Sequence, residues 1–218
     1  MTRSFRTALV SAVLLPLLGL PLAACNNPFT PADPEPPSGD AVIEDFGSVD
    51  GLLNTTAVAI GARPNGANAY IHAFAESTTT SQRAFRGFHD QAVKAVWLQG
   101  SSGQAAQEPW TLPFERGVYS ELSRIRPNDP YVFNWLPDPD SPGDDEIADV
   151  TSIHRKYQLA AIPANADPVI IMSGFADLLL QKVNGKYTIF EWRDRVDPAY
   201  GVNSPDVKTF TYHRLESQ

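Results

Sequence analysis

A single cysteine, Cys25, stands in 218 residues. One thiol excludes a disulfide framework and any cysteine-based zinc site. Basic side chains are also scarce, 17 against 25 acidic ones, for a net charge of −8. Nucleic-acid binders draw affinity from clustered Lys and Arg that neutralise phosphates, so this balance argues against a nucleic-acid partner. The four histidines, His72, His89, His154 and His213, fall at no metal-ligand spacing such as His-Glu-x-x-His. There is no Gly-x-Ser-x-Gly elbow and no phosphate loop. The acidic run Asp144-Asp145-Glu146 lacks the alternating oxygens and placed glycine of a calcium loop, and reads as solvated. Neither a metal nor a cofactor is expected. The apolar run Ala8 to Leu22 is interrupted by Pro16 and Pro21 and falls short of the roughly 20 residues that a membrane span needs.

That run is informative for another reason. Arg3 and Arg6 precede it, and it ends in Leu22-Ala23-Ala24-Cys25. A positive start, an apolar stretch, a small pair and a cysteine, in this order, resemble the signal peptide and lipobox of bacterial lipoproteins. The resemblance implies cleavage before Cys25 and acylation of its thiol, with residues 1–24 as the signal. Without Arg3 and Arg6 the body keeps 15 basic and 25 acidic side chains, a net charge of −10. A negative body gains no attraction from anionic lipid, so the acyl chains must hold the bilayer, at about 0.8 kcal/mol per buried CH₂. The expected location is the cell membrane or outer membrane, facing the periplasm or the exterior; Asn26, where an aspartate would resemble an inner-membrane retention signal, favours the outer membrane.

Residues 25–40 read as a tether. Five of the fifteen residues from Asn26 to Asp40 are proline, at positions 28, 31, 34, 36 and 37. Proline fixes φ and removes backbone donors, so the segment is expected to be extended, reaching roughly 45 Å at about 3.1 Å per residue.

Residues 41–218 carry 3.6-residue periodicity first and period-2 alternation later, which predicts one α+β domain. Leu52, Leu53, Thr56, Ala57 and Ile60 share a helical face behind Ser48 as cap, and Arg63-Pro64-Asn65-Gly66 ends that helix. Ala67, Tyr70, Ile71 and Phe74 repeat the pattern with Asn65 as cap. Asp90 caps a third piece carrying Val93, Val96 and Trp97 up to Gly100, and Phe114, Val118, Leu122 and Ile125 mark a fourth. Strands follow around Tyr131, Phe133 and Trp135, over Ile153 to Ala161, over Val169 to Val183, over Tyr187 to Arg195 and over Val207 to Leu215. Asn184-Gly185 predicts a tight hairpin, and 135–145 a hairpin excursion.

The stretch Gly174-Phe175-Ala176-Asp177-Leu178-Leu179-Leu180, followed by Asn184-Gly185-Lys186-Tyr187-Thr188-Ile189-Phe190-Glu191-Trp192-Arg193-Asp194, resembles the terminal hairpin of nuclear transport factor 2-like proteins. The helix around Glu115 and the strand 207–215 fit the same family; Tyr187 stands where a tryptophan is usual. The resemblance implies N-terminal helices packed on a curved antiparallel sheet, forming a cone with an apolar cavity. Phe133, Trp135, Tyr157, Phe175 and Trp192 are the candidate lining of that cavity or core. Some members use the cavity for catalysis, whereas many only bind or dimerise, so a homodimer stays open.

Asp177 is the one candidate for chemistry. It lies mid-strand between Phe175 and Leu179, where lost hydration would raise its pKa and suit a general base. Arg193 and Arg195 on the next strand could instead hold it ionised. The pairing is the expectation adopted here, with no catalytic residue. The sequence therefore reads as a membrane-anchored, non-catalytic module for a small apolar ligand or a protein partner. The alternative is a tethered isomerase- or hydrolase-type enzyme with Asp177 as base.

Overall fold

The computed structural model describes residues 42–76, 83–101 and 105–218; Cys25 and the proline-rich segment lie outside them. Helix α1, Val49–Gly61, starts where Ser48 accepts a hydrogen bond from Gly51 N, as its spacing predicts. Helix α2, Ala67–His72, starts at Gly66 with no side-chain cap, so Asn65 does not play the expected part. Gly66 is required there, because a Cβ would lie 2.0 Å from Ala59 O. A short strand, β1 (Arg86–Phe88), leads to helix α3, Gln91–Gly100, capped by Asp90. Of the expected apolar face of α3, Val93 alone is buried. Helix α4, Leu112–Leu122, buries Glu115, Val118, Tyr119 and Leu122 and leaves Phe114 exposed.

The back half is a sheet of β2 (Tyr131–Pro137), β3 (Asp145–Ile147), β4 (Val150–Ala161), β5 (Val169–Val183) and β6 (Lys186–Val196). Its order is β1-β6-β5-β4-β2, with β3 beside β4, antiparallel except where β1 joins β6. Register shifts at Leu159/Ala160 and Leu179/Leu180 interrupt the ladders. Such bulges bend a strand and strengthen its twist, which suits the curvature of this open sheet. Asn184 and Gly185 turn the β5–β6 hairpin with φ of 52° and 80°, the positive pair that a type I′ turn requires. The α+β class, with helices against a curved antiparallel sheet, is as expected. Ile153, Tyr157, Leu159, Met172, Ala176, Leu178 and Leu180 sit on the helix-facing side with no exposed surface, as period-2 reading requires.

The end of the chain departs from expectation. Val207 to Leu215 is not a strand. Lys208 makes an isolated bridge to Met172, and Phe210–Glu216 forms helix α5. Thr209 explains the switch: its side chain accepts from Tyr212 N and caps the helix. Phe210, Thr211, His213, Arg214 and Leu215 of this helix are all buried, so most of its circumference is enclosed.

Candidate functional site

The interior between helices and sheet is an aromatic cluster. Phe133 of β2, Tyr157 of β4 and Trp192 of β6 meet Phe210 of α5, and Trp135 of β2 packs against Phe133, Tyr157 and Trp192. Ring centroids are 4.6 Å apart for Trp192–Phe210, 5.0 Å for Tyr157–Phe210 and 5.6 Å for Trp135–Trp192. Four of the five proposed lining residues are thus brought together. The fifth, Phe175, is on the other face of the sheet, under Lys156 and Arg195. It belongs to the opposite parity of β5, so it cannot line this interior.

Two polar pairs cross the cluster. Tyr157 OH donates to Asp194 Oδ1 (2.8 Å) and accepts from Phe210 N (2.9 Å), while Thr211 N donates to Asp194 Oδ2 (2.6 Å). The start of α5 is therefore fastened to the sheet by these two side chains. Gly174 leaves room for Tyr157: a Cβ there would lie 2.2 Å from its hydroxyl. Burial raises the pKa of Asp194, with the Arg214 charge and the Thr211 bonds opposing. Deeper in, Glu115 accepts from Tyr70 OH (2.6 Å), Arg214 Nε (3.0 Å) and Arg214 Nη2 (3.1 Å). The Arg214 guanidinium also lies 4.7 Å over the Trp192 ring. Burial opposes its charge, but Glu115 lifts its pKa above the ordinary value. Both carboxylates are occupied by the protein's own donors and hold α5 in place.

Asp177 is on the outer face of the sheet. His154 and Arg193 are its cross-strand neighbours in register. Arg193 turns away to Glu191 (2.7 Å), and Arg195 supplies the expected pairing through Nε and Nη2, both at 3.0 Å. His154 Nδ1 adds a contact of 2.7 Å to Oδ1, and Arg195 Nη2 also reaches Asp138 at 2.7 Å. Both oxygens of Asp177 are thus engaged by one guanidinium. His154 was not singled out by the sequence. Its even-numbered place in β4 puts it on this face, but the partner follows only from the β4–β5 register.

Hollows remain at the seam between α1 and β2. One, of about 680 Å³, is bounded by Asp50 and Asn54 of α1, Trp135, Asp144 and Arg155. Arg155 there holds Asp144 with two bonds of 2.6 and 2.5 Å. The next, of about 650 Å³, is bounded by Ile43, Val58, Tyr131 and Val132. Among the described residues no group of three His, Cys, Asp or Glu could hold a metal ion, and no helix is long and apolar enough to cross a membrane.

No family model matches the chain, and no curated protein is similar to it in sequence. Solved structures do match. Rv3472 from Mycobacterium tuberculosis, of unknown function, is 17% identical over 78% of this chain and 91% of its own, with a TM-score of 0.50. A nuclear transport factor 2-like protein of unknown function from Pseudomonas putida is 11% identical over 69% and 84%, with a TM-score of 0.45. ActVI-ORFA from Streptomyces coelicolor is 12% identical over 68% and 95%, with a TM-score of 0.46. At these identities the likeness to Rv3472 bears on the fold alone.

Proposed function

We propose that this chain is a lipid-anchored envelope lipoprotein whose folded body is a non-catalytic binding module. One observation carries the second half of that reading: the space between helices and sheet is taken up by the chain's own helix α5. Phe210 packs into the aromatic cluster, and Arg214 and the start of the helix are fastened by Glu115, Asp194 and Tyr157. A reaction cavity needs convergent groups left free for a substrate. The first half rests on the ordered signal, apolar run and lipobox at Cys25.

The tethered-enzyme reading draws support from His154 beside Asp177. It is the weaker one, because the Arg195 fork already occupies both oxygens of the carboxylate that would be the base. Expression in a bacterium supplied with labelled fatty acid tests the anchor. The wild type should take up label and Cys25→Ala should not; equal labelling of both removes the proposal. A reaction abolished by Asp177→Asn would replace the binding module with the enzyme.

A further inference from the structure

The binding-module reading leaves the partner open, and the seam between α1 and β2 narrows it. Among the described residues, strand β2 ends the path of the sheet and pairs with β4 alone. Its outer edge therefore offers backbone N–H and C=O groups that a further strand could pair. Helix α1 runs antiparallel beside it. The apolar hollow includes Gly61 and Ala62 at the end of α1 with Tyr131 at the start of β2, and the polar one has Asp50 with Pro137 at the opposite ends. Both hollows include Asn54, Ala57 and Phe133, so they form one trough along the strand. Seven strand residues at about 3.3 Å each make it roughly 23 Å long, the span of an extended segment of similar length.

The trough has two chemically different ends. At one, Ile43, Val58 and Val132 are exposed at 90%, 46% and 41%. Exposed apolar side chains gathered in one groove suit an apolar guest. At the other, the lining carboxylates are Asp50, Asp138 and Asp144, beside His154 and Arg155. Arg195 and Arg155 engage Asp138 and Asp144, so the negative charge open to a guest is that of Asp50 on α1.

We infer that this trough docks an extended segment of another polypeptide, with apolar side chains at the Val132 end and Lys or Arg at the Asp50 end. Main-chain pairing to β2 would supply affinity, and the two ends would supply direction and selectivity. The inference rests on the binding-module reading and selects its partner as a cationic, partly apolar peptide rather than a small ligand.

The test uses the full chain in detergent micelles. The probes are two synthetic heptapeptides, Lys-Thr-Lys-Thr-Val-Thr-Val and its reverse, so that either strand direction can be taken. One of them should shift the backbone amides of residues 132–136 and 54–58. Val132→Asp and Val58→Asp, at exposed positions, should each weaken binding at least tenfold without changing the melting temperature. Replacing Lys by Glu in the probe should do the same, and added salt should weaken the Lys peptide. Absence of any amide shift with both probes overturns the inference, as does equal binding of the Glu peptides. A dimer that Val132→Asp splits, or vesicle binding that Val132→Asp abolishes, with no peptide binding, assigns the trough to a second copy or to lipid and also overturns it. Peptide shifts confined to another face reject the trough but keep the binding module. Turnover lost on Asp177→Asn rejects the module itself.

Discussion

Arg214 and Glu115 face each other inside the fold with neither side chain exposed, joined by two bonds of 3.0 and 3.1 Å. They tie the last helix to α4 across the interior. Breaking a buried pair from one side strands a charge, which costs about 3–5 kcal/mol, whereas replacing both partners with apolar groups is often neutral. Arg214→Met should therefore lower stability by about that amount, and adding Glu115→Leu should restore most of it. Urea denaturation of the single and double variants checks this; equal midpoints would mean that the two residues are not coupled.

Much of this arrangement was legible in advance. Period 3.6 located α1 and α4, Asp90 and Ser48 marked two caps, and Asn184-Gly185 marked the hairpin, because each signal is local. The identity of α5 was missed because Val207 to Leu215 follows a run of strands and was read as the last of them. Thr209 as a cap and Arg214 as a core cation were the overlooked signals. An arginine next to Leu215 reads as solvated until Glu115, ninety-nine residues away, is known to be its partner. The aromatic cluster was partly readable, since parity placed Phe133, Tyr157 and Trp192 inward. Phe175 was misassigned because β5 is apolar on both parities, so hydrophobicity alone does not say which face it occupies. Asp177 was expected to meet Arg193 or Arg195, and the choice of Arg195 depends on Arg193 having Glu191 at hand.

Gly174 is a further point of sensitivity. It lies opposite Tyr157, and an added Cβ would also come within 2.9 Å of Arg195 O. Gly174→Ala should force the Tyr157 ring away and break its bonds to Asp194 and Phe210 N. The expected loss is about 2–3 kcal/mol, from two disturbed buried hydrogen bonds and strain. Thermal melting measures it. A variant as stable as the wild type would show that β5 gives way easily at this position.

Stability should fall on mild acidification. Burial, and then the Lys208 charge, pushes the His213 pKa down to about 4; burial and the Arg214 charge do the same for His89. In the unfolded chain both take up protons near the ordinary value of about 6.5. Between about 6.5 and 4 the unfolded chain thus binds more protons, and lowering the pH through that window favours unfolding. For buried His213 the displacement amounts to about 3 kcal/mol. Asp194 acts in the opposite sense: burial raises its pKa, so the folded state gains from its protonation as the pH falls. Two histidines against one carboxyl should leave a net loss. Melting temperatures at pH 7.5 and 5 report it, and a flat profile would contradict neutral, buried histidines.

Asp177 separates stability from chemistry most directly. Its carboxylate joins His154 on β4 and Arg195 on β6, so it links three strands on the outer face. The Asp177 side chain is 28% exposed and that of Arg195 45%, and ion pairs this wet contribute little individually, about 0–1 kcal/mol. The additional histidine contact lifts the expected cost of Asp177→Asn to about 1–2 kcal/mol, because bonds to charged groups exceed neutral ones. Asparagine keeps one acceptor for Arg195, whereas Asp177→Ala removes both and should cost more. Arg195→Met should cost a similar amount to Asp177→Asn, and the double variant should cost less than the sum of the two singles, the mark of direct coupling. Denaturant midpoints for the two single variants and the double variant give that cycle. Strictly additive losses would mean that Asp177 and Arg195 do not depend on one another, and the structural role assigned to the carboxylate would then fall.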